Sequence, residues 1–250
     1  MLRSVEKLYG FEVQASDGDA GKVDDLFFDD KHWTVRYIVV NTGTWLLGRQ
    51  VLIVPSVADK LDWTLRLLPV RLTKEMVKTS PEIDLHKPVS SQKMEELHEH
   101  YGWPTYWAGS PLLGTPSLGA YPMLWADTKT ESAPDEAPRG DPHLRSTREV
   151  TGYHVEAKDG EIGHLADFFV DEDNWAIRYL LVDTRDWLRG RKVLLAPQWI
   201  QEVDWGDAHV LVNLTRQKVK DGPEYDPDSP PTRSYEAELY RHYGWPGYWP

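Results

Sequence analysis

Shifted by 142 residues, the chain falls on itself. Gly10 to Val13 meets Gly152 to Val155, and Asp17-Gly18 meets Asp159-Gly160. Trp33 to Tyr37 meets Trp175 to Tyr179, and Trp45 to Arg49 meets Trp187 to Arg191. Asp62-Trp63 meets Asp204-Trp205, Pro81-Glu82 meets Pro223-Glu224, and His100 to Pro104 meets His242 to Pro246. About 40 of 98 aligned positions are identical, with no gap. A self-match of this kind fixes the architecture before anything else is read. It predicts two units of roughly 100 residues, which a length of 250 accommodates.

The boundaries follow as residues 1–107, a linker over 108–148, and residues 149–250. The linker is rich in Gly, Pro and Ser up to Pro122, and charged and Pro-rich from Asp127 to Pro142. In the first unit, alternating β-branched and aromatic residues bounded by turn signals predict strands over Phe11–Ala15, Gly21–Asp29, Thr34–Val40, Val51–Val54, Leu61–Trp63 and Leu65–Leu68. The second unit repeats the plan over Tyr153–Ala157, Gly163–Asp171, Ala176–Val182, Val193–Ala196, Val203–Trp205 and Val210–Val212. Thr73 is placed to cap a short helical turn. Ser90–His100 and Arg233–His242 read as amphipathic helices, with Met94, Leu97 and Tyr101 on one face. Each helix runs into a Tyr-Gly-Trp-Pro-x-Tyr-Trp arm.

The order of Asp17-Gly18, Gly21 to Asp25, Trp33, Arg36-Tyr37, Val39-Val40, Trp45, Gly48-Arg49 and Val51 to Pro55 resembles the PRC-barrel domain. That fold occurs in the H subunit of the photosynthetic reaction centre, in the ribosome-maturation factor RimM, and in many stand-alone bacterial proteins. The resemblance covers about residues 4–84 and 146–226 and stops short of the linker and the arms. It implies a mainly β protein: two small, curved antiparallel β-barrels in tandem, each followed by a short helix and an aromatic arm. It also implies protein–protein assembly rather than catalysis, with the barrel face and loops as the contact surface.

Composition narrows the function. A formal net charge of −12 disfavours direct contact with nucleic acid, which needs clustered Lys and Arg. No apolar run approaches the ~20 residues that span a bilayer. The absence of Cys excludes a disulfide framework, thiolate metal sites and a cysteine nucleophile, and it fits a reducing compartment. With no apolar segment after Met1, a cytoplasmic location is expected. Phosphate-binding, dinucleotide-binding, nucleophile-elbow and His-Glu-x-x-His motifs are absent. His154 and His164 flank a predicted hairpin, where the first unit has Glu12 and Lys22. They could approach each other, and a metal site there would be private to the second unit, but they are read as scattered surface histidines, and no metal or cofactor is expected.

Three sets of residues stand out. Asp25 and Arg36 are expected to pair across strands, as are Asp167 and Arg178, as structural ion pairs rather than an acid–base couple. Trp45 with Arg49, and Trp187 with Arg191, offer a ring and a cation to a partner, or alternatively a ring packed on the barrel mouth beside a solvated Arg. Tyr101, Trp103, Tyr106 and Trp107, repeated as Tyr243, Trp245, Tyr248 and Trp249, are latches on a barrel or docking arms. Exchange of arms between the units would pack them about a pseudo-two-fold axis. The resulting expectation is a non-enzymatic adaptor for an unknown protein partner. The alternatives are a soluble relative of the H subunit that supports photosynthetic electron transfer, and a RimM-like accessory factor in RNA processing.

Overall fold

The computed structural model describes residues 1–81, 91–103, 143–184, 187, 191–227 and 229–249. In the first half these form β1 (Leu2–Ser4), α1 (Val5–Leu8), β2 (Glu12–Ala15), β3 (Gly18–Asp29), β4 (Thr34–Asn41), β5 (Gln50–Ile53), β6 (Leu67–Pro69), α2 (Lys74–Lys78) and α3 (Ser91–Tyr101). The second half forms β7 (Leu144–Ser146), α4 (Thr147–Val150), β8 (His154–Ala157), β9 (Gly160–Asp171), β10 (Ile177–Asp183), β11 (Lys192–Leu195), β12 (Ile200–Asp204), β13 (His209–Val212), α5 (Arg216–Lys220) and α6 (Arg233–Tyr243). The protein is mainly β, as expected. No helix among the described residues is long and apolar enough to cross a membrane.

The first sheet runs β5-β4-β3-β2-β6 and the second β11-β10-β9-β8-β13-β12. Two ladders, β2 with β6 and β8 with β13, are parallel, and the others are antiparallel. The expected barrels are thus open, mixed sheets as far as the described ladders go, with β5 and β6 at opposite ends of the first. The expected strand over Leu61–Trp63 is instead a turn. Asp62 Oδ1 accepts the amides of Thr64 and Leu65, which pulls the chain out of extended geometry.

The long strands β3 and β9 organise each sheet, because both faces are largely buried. Each starts beside a glycine against a neighbouring backbone. A Cβ on Gly21 would lie 2.2 Å from the Asn41 carbonyl oxygen, and one on Gly163 2.0 Å from that of Asp183. Their φ values of +130° and +146° also exclude ordinary side chains.

What the sequence does not suggest is where β1 and β7 go. β1 adds to β9 of the second half, with Arg3 opposite Val170. β7 adds to β3 of the first half, with Phe28 opposite Arg145. Each half therefore lends its leading strand to the other. The hairpin turns meet as well. Val35 N donates to the Trp175 carbonyl (2.9 Å) and Ile177 N to that of Trp33 (2.7 Å). Trp33 and Trp175 adopt positive φ to make this approach. The buried side chains form one core through both halves, with Phe28 and Phe168 in ring contact at 5.7 Å.

Candidate functional site

The leading strands are fastened by two buried carboxylates. Asp167 accepts Ser4 Oγ (2.6 Å), the Glu6 amide (2.9 Å) and the Phe168 amide (2.7 Å). Asp25 accepts Ser146 Oγ, Thr147 Oγ1 (2.9 Å), the Arg148 amide (3.2 Å) and the Leu26 amide (2.8 Å). Ser4 and Ser146 also cap α1 and α4, so each serine joins a local helix start to the opposite half. Burial pushes both carboxyls above the ordinary range, and their hydrogen bonds only partly offset it.

At the rim of this seam Arg3 Nε donates to Glu172 (3.1 Å) while its guanidinium covers Trp63. Reciprocally, Arg145 Nε donates to Asp30 (3.1 Å) and covers Trp205. Tyr9 and Thr147 hydroxyls meet at 2.8 Å. Together these groups build a reciprocal clasp, in which each half is completed by residues from the other.

The expected pairs Asp25–Arg36 and Asp167–Arg178 are replaced by neighbours. Arg36 donates to Asp29 (2.9 Å), and Arg178 lies 3.6 Å from Asp171. The strand register is the reason. The register jumps between Tyr37 and Val35, leaving Arg36 as the extra residue beside Asp29, while Val39 stands opposite Asp25. The same jump occurs between Ile177 and Tyr179. Burial raises the Asp29 carboxyl, but bonds from His32, Arg36 and the Lys31 amide outweigh it and hold it below the ordinary range.

The Trp–Arg loops are built into their own halves. Trp45 Nε1 donates to the Ala20 carbonyl (3.2 Å), and Lys74 lies over its ring. Arg49 donates to the Lys78 carbonyl (3.0 Å) and the Ser80 carbonyl, closing the end of α2. Arg191 does the same at α5 through the carbonyls of Lys220 (2.6 Å) and Gly222, with Arg216 over Trp187. Both arginines thus hold carbonyls at helix ends, where a cation is favoured. Next to Trp45, Leu47 stands 99% exposed at the loop tip.

The arms divide. Tyr101 is buried and stacks on Trp103 at 4.1 Å, while Tyr106 and Trp107 lie outside the described residues, as does most of the linker. Met94 falls outside the described side chains. In the second half Tyr243 is buried against Trp199, and Tyr248 and Trp249 pack on Tyr240. The arms do not exchange there: this one folds onto its own half. A residue the repeat does not flag secures it. The buried Glu236 carboxylate accepts Tyr179 Oη (2.9 Å) and Tyr248 Oη (2.6 Å) and pairs with Arg233 (3.1 Å). Its counterpart by the 142-residue shift is Met94, and the first half instead links Tyr37 to His98 at 2.8 Å. Trp245 alone of this arm's large rings stays substantially exposed, at 38%.

Two clefts, related by the same shift, open along the seam. The larger, about 670 Å³, lies between Pro55–Leu61 and Glu172–Trp175. The smaller, about 370 Å³, is lined by Tyr240 and Tyr248. His154 and His164, which flank the expected hairpin, do approach each other, and Glu161 joins them on one exposed face.

Compared with known proteins, residues 2–71 match the model of the PRC-barrel domain. No curated protein matches the chain.

Proposed function

We propose that this chain, which carries a PRC-barrel domain in residues 2–71, is a non-enzymatic scaffold that holds two PRC-type modules in a fixed relation and presents their loops to a protein partner. The reciprocal clasp carries the reading. A scaffold needs its binding surfaces at set separations, and two lobes that each complete the other cannot drift apart as flexibly tethered domains do. The ionisable groups best placed for chemistry, Asp25 and Asp167, spend their hydrogen-bonding capacity on fastening β1 and β7, which favours a structural role over acid–base work.

Among the sequence candidates, Trp45, Arg49, Trp187 and Arg191 are tied to their own lobes. Among the described residues of these loops and arms, Leu47 and Trp245 are the exposed large apolar side chains. Exposed aromatic and aliphatic anchors are the usual centre of a binding patch. The partner-facing surface is therefore assigned to the Leu47 loop tip and to Trp245.

The test is quantitative capture from native lysate, comparing the tagged wild type with Leu47→Ser/Trp245→Ser, both confirmed folded by thermal melting. One partner near equimolar ratio, reduced at least tenfold by the double substitution, is the expected result. An identical captured set for both proteins, or none with the wild type, would contradict the reading.

A further inference from the structure

We propose that the exposed face of β8 and β9 holds a divalent transition-metal ion of the Zn²⁺ class, ligated by His154, His164 and Glu161. The ladders put these residues together. His154 stands opposite His164 on β9, and His209 on β13 stands opposite His154. One row further on, Glu156 stands opposite Glu161. Directly opposed residues share a sheet face, so three imidazoles and two carboxylates crowd one surface.

The geometry is close to what a metal needs. The His154 and His164 rings are 4.5 Å apart. His154 Nδ1 is 2.9 Å from Glu161 Oε1. One donor atom from each of His154, Glu161 and His164 lies within 4.8 Å of the other two. Around a tetrahedral ion with metal–nitrogen distances of about 2.1 Å, ligand atoms sit about 3.4 Å apart. His154 and Glu161 are about half exposed and on the surface, so their side chains can close the remaining gap without disturbing the core.

Two imidazoles with one carboxylate select Zn²⁺, Cu²⁺ or Ni²⁺ over Mg²⁺ and Ca²⁺, which prefer all-oxygen sets. Three protein ligands leave a fourth position. His209, 3.1 Å from Glu156, is next in line to take it, or it stays open to water. Asp183 stands opposite His164 across β9 and β10, where a carboxylate can orient a ligating imidazole.

The first half supplies an internal control. By the 142-residue shift, its counterparts are Glu12 for His154, Lys22 for His164, Leu67 for His209 and Asp19 for Glu161. A lysine in place of the second imidazole repels a cation. The proposal therefore requires one ion per chain, not two.

Titration calorimetry of the full chain with ZnCl₂ tests it, alongside His154→Gln, His164→Gln and a MgCl₂ control. The expected result is a stoichiometry of one Zn²⁺ with no Mg²⁺ binding. Each substitution should weaken Zn²⁺ by more than the roughly 10–100-fold that loss of an outer-sphere partner brings. Circular dichroism checks that both variants fold. In the unsubstituted protein, Zn²⁺ should shift the side-chain ¹⁵N resonances of His154 and His164 together, a readout that needs no variant. Absence of Zn²⁺ binding up to millimolar concentration would overturn the proposal. So would binding that both substitutions leave intact, or that leaves those two imidazole signals unmoved.

Discussion

Asp167→Ala is expected to destabilise the protein by about 2–6 kcal/mol, because it leaves at least two donors at the seam unmade at about 1–3 kcal/mol each. The side chain removed is the common acceptor for Ser4 Oγ, the Glu6 amide and the Phe168 amide. Two of those donors are backbone N–H groups at the seam, and a buried donor left unmade costs about 1–3 kcal/mol. Asp25→Ala should behave similarly, since Asp25 receives Ser146, Thr147 and the Arg148 amide. Asp167→Asn keeps an acceptor oxygen and should lose only about 1 kcal/mol, the net worth of an ordinary hydrogen bond. Urea unfolding of the three variants measures this. Loss of amide protection confined to residues 2–8 in Asp167→Ala would identify the strand released.

The pH dependence of these carboxyls separates the clasp from the bulge. Asp25 and Asp167 have folded-state pKa values above the ordinary carboxylate value. Their contribution is complete below that value and declines as pH rises through the raised one. Asp29 has the opposite sign: its contribution is present above the ordinary value and is lost as pH falls through the lowered one. Acid sensitivity should therefore track Asp29 with Arg36, and should persist in Asp167→Asn.

At the other end of the scale, cooperative unfolding is expected near pH 11. Burial pushes the Tyr240 hydroxyl up to about 12, and those of Tyr9, Tyr179, Tyr225, Tyr235, Tyr243 and Tyr248 also well above their usual range. A raised tyrosine pKa contributes stability that is intact below pH ~10 and is lost above it, because the unfolded chain ionises first. By pH 11 a fully shielded tyrosine such as Tyr179 or Tyr243 costs about 1.4 kcal/mol. The partly exposed ones cost less, because solvent screens them. Together they amount to several kcal/mol, a large share of the roughly 5–15 kcal/mol a domain has. Phenolate absorbance at 295 nm and far-ultraviolet ellipticity should then change in one shared transition. Phenolates appearing near pH 10 in a protein that keeps its ellipticity would show these rings to be accessible.

Much of the fold is legible in the residues. The aromatic and β-branched residues that flank the Asp30 and Asp173 turns give the long hairpins, and Thr73 caps α2 through the Met76 amide as its position suggests. Leu97 is buried in α3 as the helical period requires. The clasp is not legible, because β1 and β7 are three residues long and periodicity has nothing to count over such a length. One trace does exist. Leu2-Arg3-Ser4 and Leu144-Arg145-Ser146 are identical and lie just outside the aligned stretch. Even so, identity says that both triplets have the same surroundings, not that those surroundings belong to the other half.

The ion pairs fail for a related reason: the register sets Val39 rather than Arg36 against Asp25, and a bulge further along leaves Arg36 beside Asp29. The approach of His154 to His164 is legible from the hairpin they flank, but Glu161 and Glu236 are not. Both occur where the halves differ, with Asp19 and Met94 at the matching positions, and a reading guided by what recurs passes over them.

The measurement that bears most directly on the exchange of leading strands uses the absence of native cysteine. Arg3→Cys/Val170→Cys places two thiols at directly opposed positions of β1 and β9, a separation a disulfide spans. Mild oxidation of the dilute full-length protein should give a monomer with an intramolecular bond, faster on a non-reducing gel, with the rest of the fold retained. Thiols that stay free, or that link only between separate chains, would mean that the first strand does not complete the second half of its own chain.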